Sequence, residues 1–200
     1  MEHIHKAVYI NLDRRDDRRG EIETEMSRFG ISGERFPAIH YDPGIVGCGM
    51  SHLAVLERAK REGWENVLIL EDDFMFVVTK EVFEQEIRTF FDLHIPYDVL
   101  MISYNLRNSA PYNETVCRTL DVQTTSGYIV HNRFYDTLIQ NFKEGLEQLI
   151  HTGRHWDFAI DQYWKRLQPD SEWFCMNRRI GRQRPGFSDL AKRFVSYDDC

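Results

Sequence analysis

No stretch of this chain approaches the roughly eighteen consecutive apolar residues of a membrane-crossing helix. The N-terminal MEHIHKAVYINLD runs directly into a strand-like pattern, without a secretory hydrophobic segment or cleavage site. Cysteine is scarce: Cys48, Cys117, Cys175 and Cys200 are scattered, with no CxxC pair and no metal-ligand spacing. Without an export signal they are expected as reduced thiols in a cytoplasmic protein, and the glycosylation pattern Asn113-Glu114-Thr115 is expected to be a chance match. Positive charge is in deficit, with 25 Lys and Arg against 32 Asp and Glu and a formal net charge of -7. That balance argues against a general binder of nucleic acid or of membrane surfaces, both of which need excess cation. Internal repeats and low-complexity linkers are also missing. What the 200 residues do contain is 42% hydrophobic and 13% aromatic, enough to bury a core within one domain.

Ile4 to Ile10 reads as a first strand ending at Asn11. Residues 15–29 place Ile22, Met26 and Phe29 at helical spacing, with Gly30 as a C-cap. A short strand over 35–39 precedes the loop YDPGIVGCG, whose Pro43, Gly44, Gly47 and Gly49 call for a sharp turn or a close approach. Ser51 is expected to open the next helix, whose apolar face carries Leu53, Val55, Leu56 and Ala59. Residues 66–70 read as a buried strand, 80–93 as an amphipathic helix, and 97–103 and 124–131 as further strands. A helix through about 149, another over 155–167 and a late strand over 172–176 complete the pattern, and the basic tail from Asn177 reads as loop. Alternating strands and helices favour an α/β fold, a mixed and mostly parallel sheet with helices on both faces.

The densest acid in the chain, Glu71-Asp72-Asp73, ends the aliphatic run VLIL. Open α/β sheets bind ligands outside the carboxyl ends of their strands. Adjacent carboxylates repel one another, so a site that gathers three usually supplies a cation, and hard oxygen ligands select Mg²⁺ or Mn²⁺. An exposed acidic turn explains the triplet as well. Asn11 ends the first strand at the same sheet edge if the strands are parallel, followed by Leu12 and the arginines Arg14, Arg15, Arg18 and Arg19. An arginine beside a helix start grips phosphate well; the alternative is a set of solvated charges paired with Asp16, Asp17 and Glu21.

Three stretches together resemble glycosyltransferase family 25, the group of lipooligosaccharide and collagen-type galactosyl- and glucosyltransferases: YINLDRRDDR, VGCGMSHLAVLERAKREGWENVLILEDD and TTSGYIVH. The resemblance covers roughly the first two-thirds of the chain. Beyond it, QRPGFSDL is similar to a closing segment of some related transferases, viral ones included. The resemblance implies a GT-A fold with a nucleotide-sugar half (about 1–105) and an acceptor half (about 106–200). It implies a UDP-sugar donor, UDP-galactose or UDP-glucose, a glycan or glycoconjugate acceptor, and Mn²⁺ or Mg²⁺ at a DxD-type motif, here Glu71-x-Asp73. By the same analogy Asp73 is the direct metal ligand, and Asp72 or Glu71 faces the ribose or a metal-bound water. Asn11, Leu12, Arg14, Arg18, Ser51 and His52 fall to the donor side, although Ser51 serves equally as a helix cap and His52 as a packed core residue.

Family members invert the anomeric centre, which requires a base opposite the leaving group. Asp157 is the first candidate and Asp161 the second, one turn apart on the expected helix; Asp157 also suits an ordinary N-cap. Trp156 is a candidate for stacking on a sugar face. Many GT-A enzymes add a late histidine to the metal shell. Here His155 or His151 is the candidate, with Gln183, Ser188, Asp189 or water as substitutes. The competing readings are a nucleotidyltransferase that makes the activated sugar, and a catalytically silent carbohydrate-binding domain on the same fold. Against the first, INLDRRDDRR holds no glycine before Gly20. Whether the chain is one module of a larger enzyme stays open.

Overall fold

The aliphatic run that ends in the acids forms the centre of the molecule. A computed structural model describes residues 3–189 and 192–196. In it strand β3 (Asn66–Glu71) lies between β1 (Lys6–Asn11), in parallel, and β6 (Val116–His131), antiparallel. Val67, Leu68, Ile69 and Leu70 are all fully buried because helices cover both faces of the sheet. Val67 and Ile69 join one apolar cluster with α2 (Gly44–Arg61) and α4 (Tyr135–Thr152). Leu68 and Leu70 join the other, with α1 (Asp16–Arg28) and α3 (Lys80–Asp92). The alternation follows from the two-residue period of a strand.

Eight strands form the main sheet in the order β2-β1-β3-β6-β7-β5-β8-β4. Here β2 is Gly33–Pro37, β4 Phe74–Phe76, β5 Val99–Pro111, β7 Trp173–Met176 and β8 Gly181–Gln183. Strands β5 and β6 make a long antiparallel hairpin whose register slips several times. Its tip is turned by Asn113, which accepts from the backbone N–H groups of Thr115 and Val116 at 2.8 Å each. Strand β7 pairs with the hairpin base at Val99–Met101 and with its tip at Val116–Arg118, so the sheet curls back on itself. A separate two-stranded ribbon, β9 (Gly186–Ser188) with β10 (Arg193–Val195), follows β8.

Several expectations need correction. The glycine-rich stretch is helix, not loop: α2 begins at Gly44, and its glycines serve close approach. A Cβ on Gly47 would lie 2.4 Å from the Ile39 carbonyl oxygen, and one on Gly49 2.7 Å from Leu146 Cδ2. Ser51 therefore does not open the helix. It lies inside it, donating to the Gly47 carbonyl at 2.7 Å and accepting from Ile39 N–H at 2.8 Å. The helix expected over 155–167 is broken at Ala159, which is extended at ψ 146°, into α5 (His155–Phe158), α6 (Ile160–Tyr163) and a 3-10 segment over Trp164–Asp170. The break lets Ile160 pack into the cluster beneath α2 and α4, so Asp157 and Asp161 do not share one helical face. The tail is not loop either, since β8, β9 and β10 lie within it. Among the described residues, no helix is long and apolar enough to cross a membrane.

Candidate active site

A cavity of about 400 Å³ opens at the carboxyl ends of β1 and β3, where the parallel pairing brings the first strand end beside the acids. Its wall includes Leu12, Arg14 and Arg18 from the β1–α1 connection, Ser51 and His52 from α2, the three acids, and Gln183, Ser188 and Asp189 from the tail. Eleven of the residues singled out from the sequence thus converge on one hollow. Asn11 sits just behind it, 1% exposed.

The three acids have different environments. Asp72 is tied down: Asn11 Nδ2 donates to its Oδ2 at 2.8 Å, and Arg18 Nη1 to its Oδ1 at 2.9 Å. Asn11 is itself held by Arg35, whose Nε donates to its Oδ1 at 3.0 Å. Glu71 faces inward, accepting from Thr125 Oγ1 and lying 3.3 Å from His52 Nε2, while His52 Nδ1 meets Tyr128 Oη at 2.8 Å. Burial opposes ionisation of Glu71, but His52, Thr125 and Arg18 outweigh it and hold the carboxyl below its usual range. Asp73 has the opposite balance. Burial, together with the charges of Glu71 and Asp72, pushes its carboxyl up to about 7 despite an Arg18 Nη1 contact of 3.3 Å. Its Oδ1 is buried without a hydrogen-bond partner. An unpartnered carboxylate oxygen among other carboxylates fits a hard divalent cation, which would satisfy the oxygen and offset the repulsion. Asp73 with Asp72 or Glu71 could hold one.

The rim is built from both ends of the chain. Arg18 Nη2 donates to the Phe187 carbonyl at 2.8 Å. Asp189 receives Arg14 Nη2 at 2.9 Å and Arg15 Nη1 at 2.5 Å. The arginines are therefore neither free for phosphate nor simply solvated: Arg14, Arg15 and Arg18 fasten the tail across the cavity mouth.

Other candidates lie elsewhere. Asp161 is half-buried, accepting from Thr124 N–H at 3.2 Å. Burial raises its carboxyl, and the charge of Glu71 adds to that, so the two groups are electrically close. Asp157 instead pairs with Arg154 at 2.6 Å, and neither aspartate belongs to the cavity wall itself. His155 and Trp156 stack edge to face on the surface, with Trp156 62% exposed. The structure does not bring His155 to the acids, and His151 lines a different groove between α2 and α4. Reading the sequence missed the lining residues His40, Tyr41 and Asp42, although the neighbouring glycine-rich run signalled a close approach there. It also missed the Arg35–Asn11 brace, for which the sequence carries no local signal.

No protein-family model matches the chain. The fold is of the GT-A type: a glycosyltransferase involved in the glycosylation of the major capsid of PBCV-1 superposes with a TM-score of 0.57 at 11% identity, covering 94% of this chain and 95% of that one. In sequence, a glycosyltransferase 25 family member of Anopheles gambiae is 31% identical over 38% of this chain and 17% of the relative. The Drosophila melanogaster member is 30% identical over 36% and 16%. Two further fly and mosquito members, of Drosophila pseudoobscura and Aedes aegypti, are each 30% identical, over 38% and 34% of this chain, so in this stretch the chain is similar to glycosyltransferase 25 family members. It spans about a sixth of the length of the curated relatives it matches.

Proposed function

We propose that the chain is a metal-dependent, inverting glycosyltransferase that moves a hexose from a UDP-sugar to a hydroxyl of a glycan or glycoconjugate. The observation that carries this reading is Asp73: a buried carboxyl with an unpartnered oxygen, on the wall of a cavity at the strand ends. Asp73, with Asp72 or Glu71, would hold a divalent ion, Mn²⁺ or Mg²⁺, and that ion would supply positive charge to offset the charge of a departing diphosphate. Asn11 and Arg18 orient Asp72 and partly offset the burial that raises its carboxyl, and Glu71 is held by Thr125 beside His52. Arg14 and Arg18, although paired, add positive charge to the cavity wall that would face the diphosphate. Ser188 and Asp189, on the tail that crosses the mouth, help exclude water from the donor.

Inversion needs a base on the acceptor side, and Asp161 suits it better than Asp157. Burial raises its carboxyl above the ordinary aspartate range, the direction that favours a base for a hydroxyl proton. Asp157 is committed to Arg154. Titration calorimetry with UDP and Mn²⁺ tests the metal seat: UDP binding is expected to need the metal and to disappear in Asp73→Asn. Unchanged binding in that variant would overturn the assignment. A panel of UDP-sugars in a donor-hydrolysis assay then separates an enzyme from a silent binder.

A further inference from the structure

Deeper in the same cavity wall, a second group of donors is unlike the first. Cys48 and His52 stand four residues apart on α2 and so on one face of the helix. Opposite them Glu71 closes a triangle in which the thiol sulfur, an imidazole nitrogen and a carboxylate oxygen all lie within 4.8 Å of one another. His52 is fully buried, and its Nε2 lies 3.3 Å from Glu71 Oε1, short of a completed hydrogen bond. We propose that Cys48, His52 and Glu71 form a binding site for a borderline-soft divalent cation of the Zn²⁺ class, beside the hard-cation seat, which is then held by Asp73 with Asp72.

Tetrahedral zinc with bonds of about 2.0–2.3 Å sets its ligands about 3.3–3.8 Å apart. The triangle therefore needs to contract by no more than about 1.5 Å, within reach of side-chain adjustment. One sulfur, one imidazole and one carboxylate make a donor set that zinc accepts and that magnesium and manganese do not seek. The supporting groups are already present. Tyr128 Oη, 2.8 Å from His52 Nδ1, can accept that N–H and leave the Nε2 lone pair for the metal. Thr125 Oγ1 holds Glu71 from behind. On binding, the Cys48 S–H bond breaks, its proton passes to water, and the S–metal bond forms. All three residues line the cavity, and a tetrahedral ion held by them would have a fourth position for water or an anionic ligand.

Co²⁺ is the probe, because a cobalt–thiolate bond gives a near-ultraviolet charge-transfer band. Titration of the reduced full-length chain is expected to develop that band to one equivalent and to lose it on adding Zn²⁺. Cys48→Ser should abolish it. Cys117→Ser and Asp73→Asn should keep it, the latter even though the UDP–Mn²⁺ interaction is lost, so this site and the transferase reading fail separately. No band in the wild-type protein, or a band that survives Cys48→Ser, overturns the proposal. If Cys48→Ser does not fold, zinc-edge X-ray absorption on the zinc-loaded Cys117→Ser protein decides instead. One sulfur with nitrogen and oxygen neighbours is expected, and a shell without sulfur refutes the site.

Discussion

Replacing Asp73 by Asn should stabilise the metal-free protein, and only above a definite pH. In the unfolded chain this carboxyl titrates near its model value of 3.8; in the fold it holds its proton up to about 7. Between those values the native state binds more protons than the unfolded state, so stability falls as pH rises through the window. The difference of about 3 pH units corresponds to a ceiling of about 4 kcal/mol at pH 8, at 1.36 kcal/mol per unit. That shift already includes the attraction of Arg18, and relaxation and water penetration around a buried charge reduce the ceiling to about 2–3 kcal/mol. For a chain of this size that is a rise in Tm of about 4–12 °C. The assay is thermal unfolding of both proteins in chelator at pH 4 and pH 8. The two are expected to agree at pH 4, where both side chains are neutral, and to separate at pH 8 with Asp73→Asn higher. Addition of Mn²⁺ at pH 8 should then raise the wild type alone. A variant that is less stable at pH 8 would show that Asp73 is not a strained carboxylate, and the case for a cation there would lose its physical basis.

Three further outcomes follow from named contacts. Gly47→Ala puts a Cβ within 2.4 Å of the Ile39 carbonyl oxygen and 3.0 Å of Tyr41 N, both backbone atoms; a loss of about 1–3 kcal/mol is expected in urea unfolding. Asn11→Ala removes the donor to Asp72 inside a buried site; a loss of about 1.5–3 kcal/mol is expected by the same measurement, as for hydrogen bonds to charged groups. Asp161→Asn should lower kcat by at least about 100-fold with donor affinity unchanged, whereas Asp157→Asn should leave turnover within about twofold. The reverse pattern would return the base to α5.

Much of the frame was legible because its signals are local. A run of β-formers ending in three acids gave β3 within one residue, since a strand buried on both faces is apolar throughout. Helix α3 announced itself by its amphipathic period, and Gly30, at φ +66°, by the need for a left-handed residue after α1. The misread stretches depend on distant partners. Gly44 to Gly49 look like a turn until Ile39 and Leu146 are seen pressing on the helix, which only glycine allows so close. Helical spacing over 155–167 hid the break at Ala159, because Ile160 turns toward residues contributed by α2 and α4. Arg18 read as a phosphate ligand or a solvated charge; its engagement with Asp72, Asp73 and Phe187 across the chain has no signature in INLDRRDDRR. The gathering of Leu12, Ser51, His52 and the acids was legible as an ordered set, but the separation of Asp157 from Asp161 was not.

The arginine clasp on the tail has a kinetic corollary. Arg14 and Arg15 meet Asp189 across 175 and 174 positions of chain, and Arg18 meets Phe187 across 169. Contacts that span nearly the whole sequence form late, after shorter loops have closed. The sheet around β3 can therefore consolidate while the hollow above the acids still lacks its rim. During synthesis, a growing chain that has reached residue 180 already carries all three carboxylates and none of the segment that covers them. In that interval the acidic pocket is open to any cation in solution, and a bound cation would favour the fold before the last strands arrive.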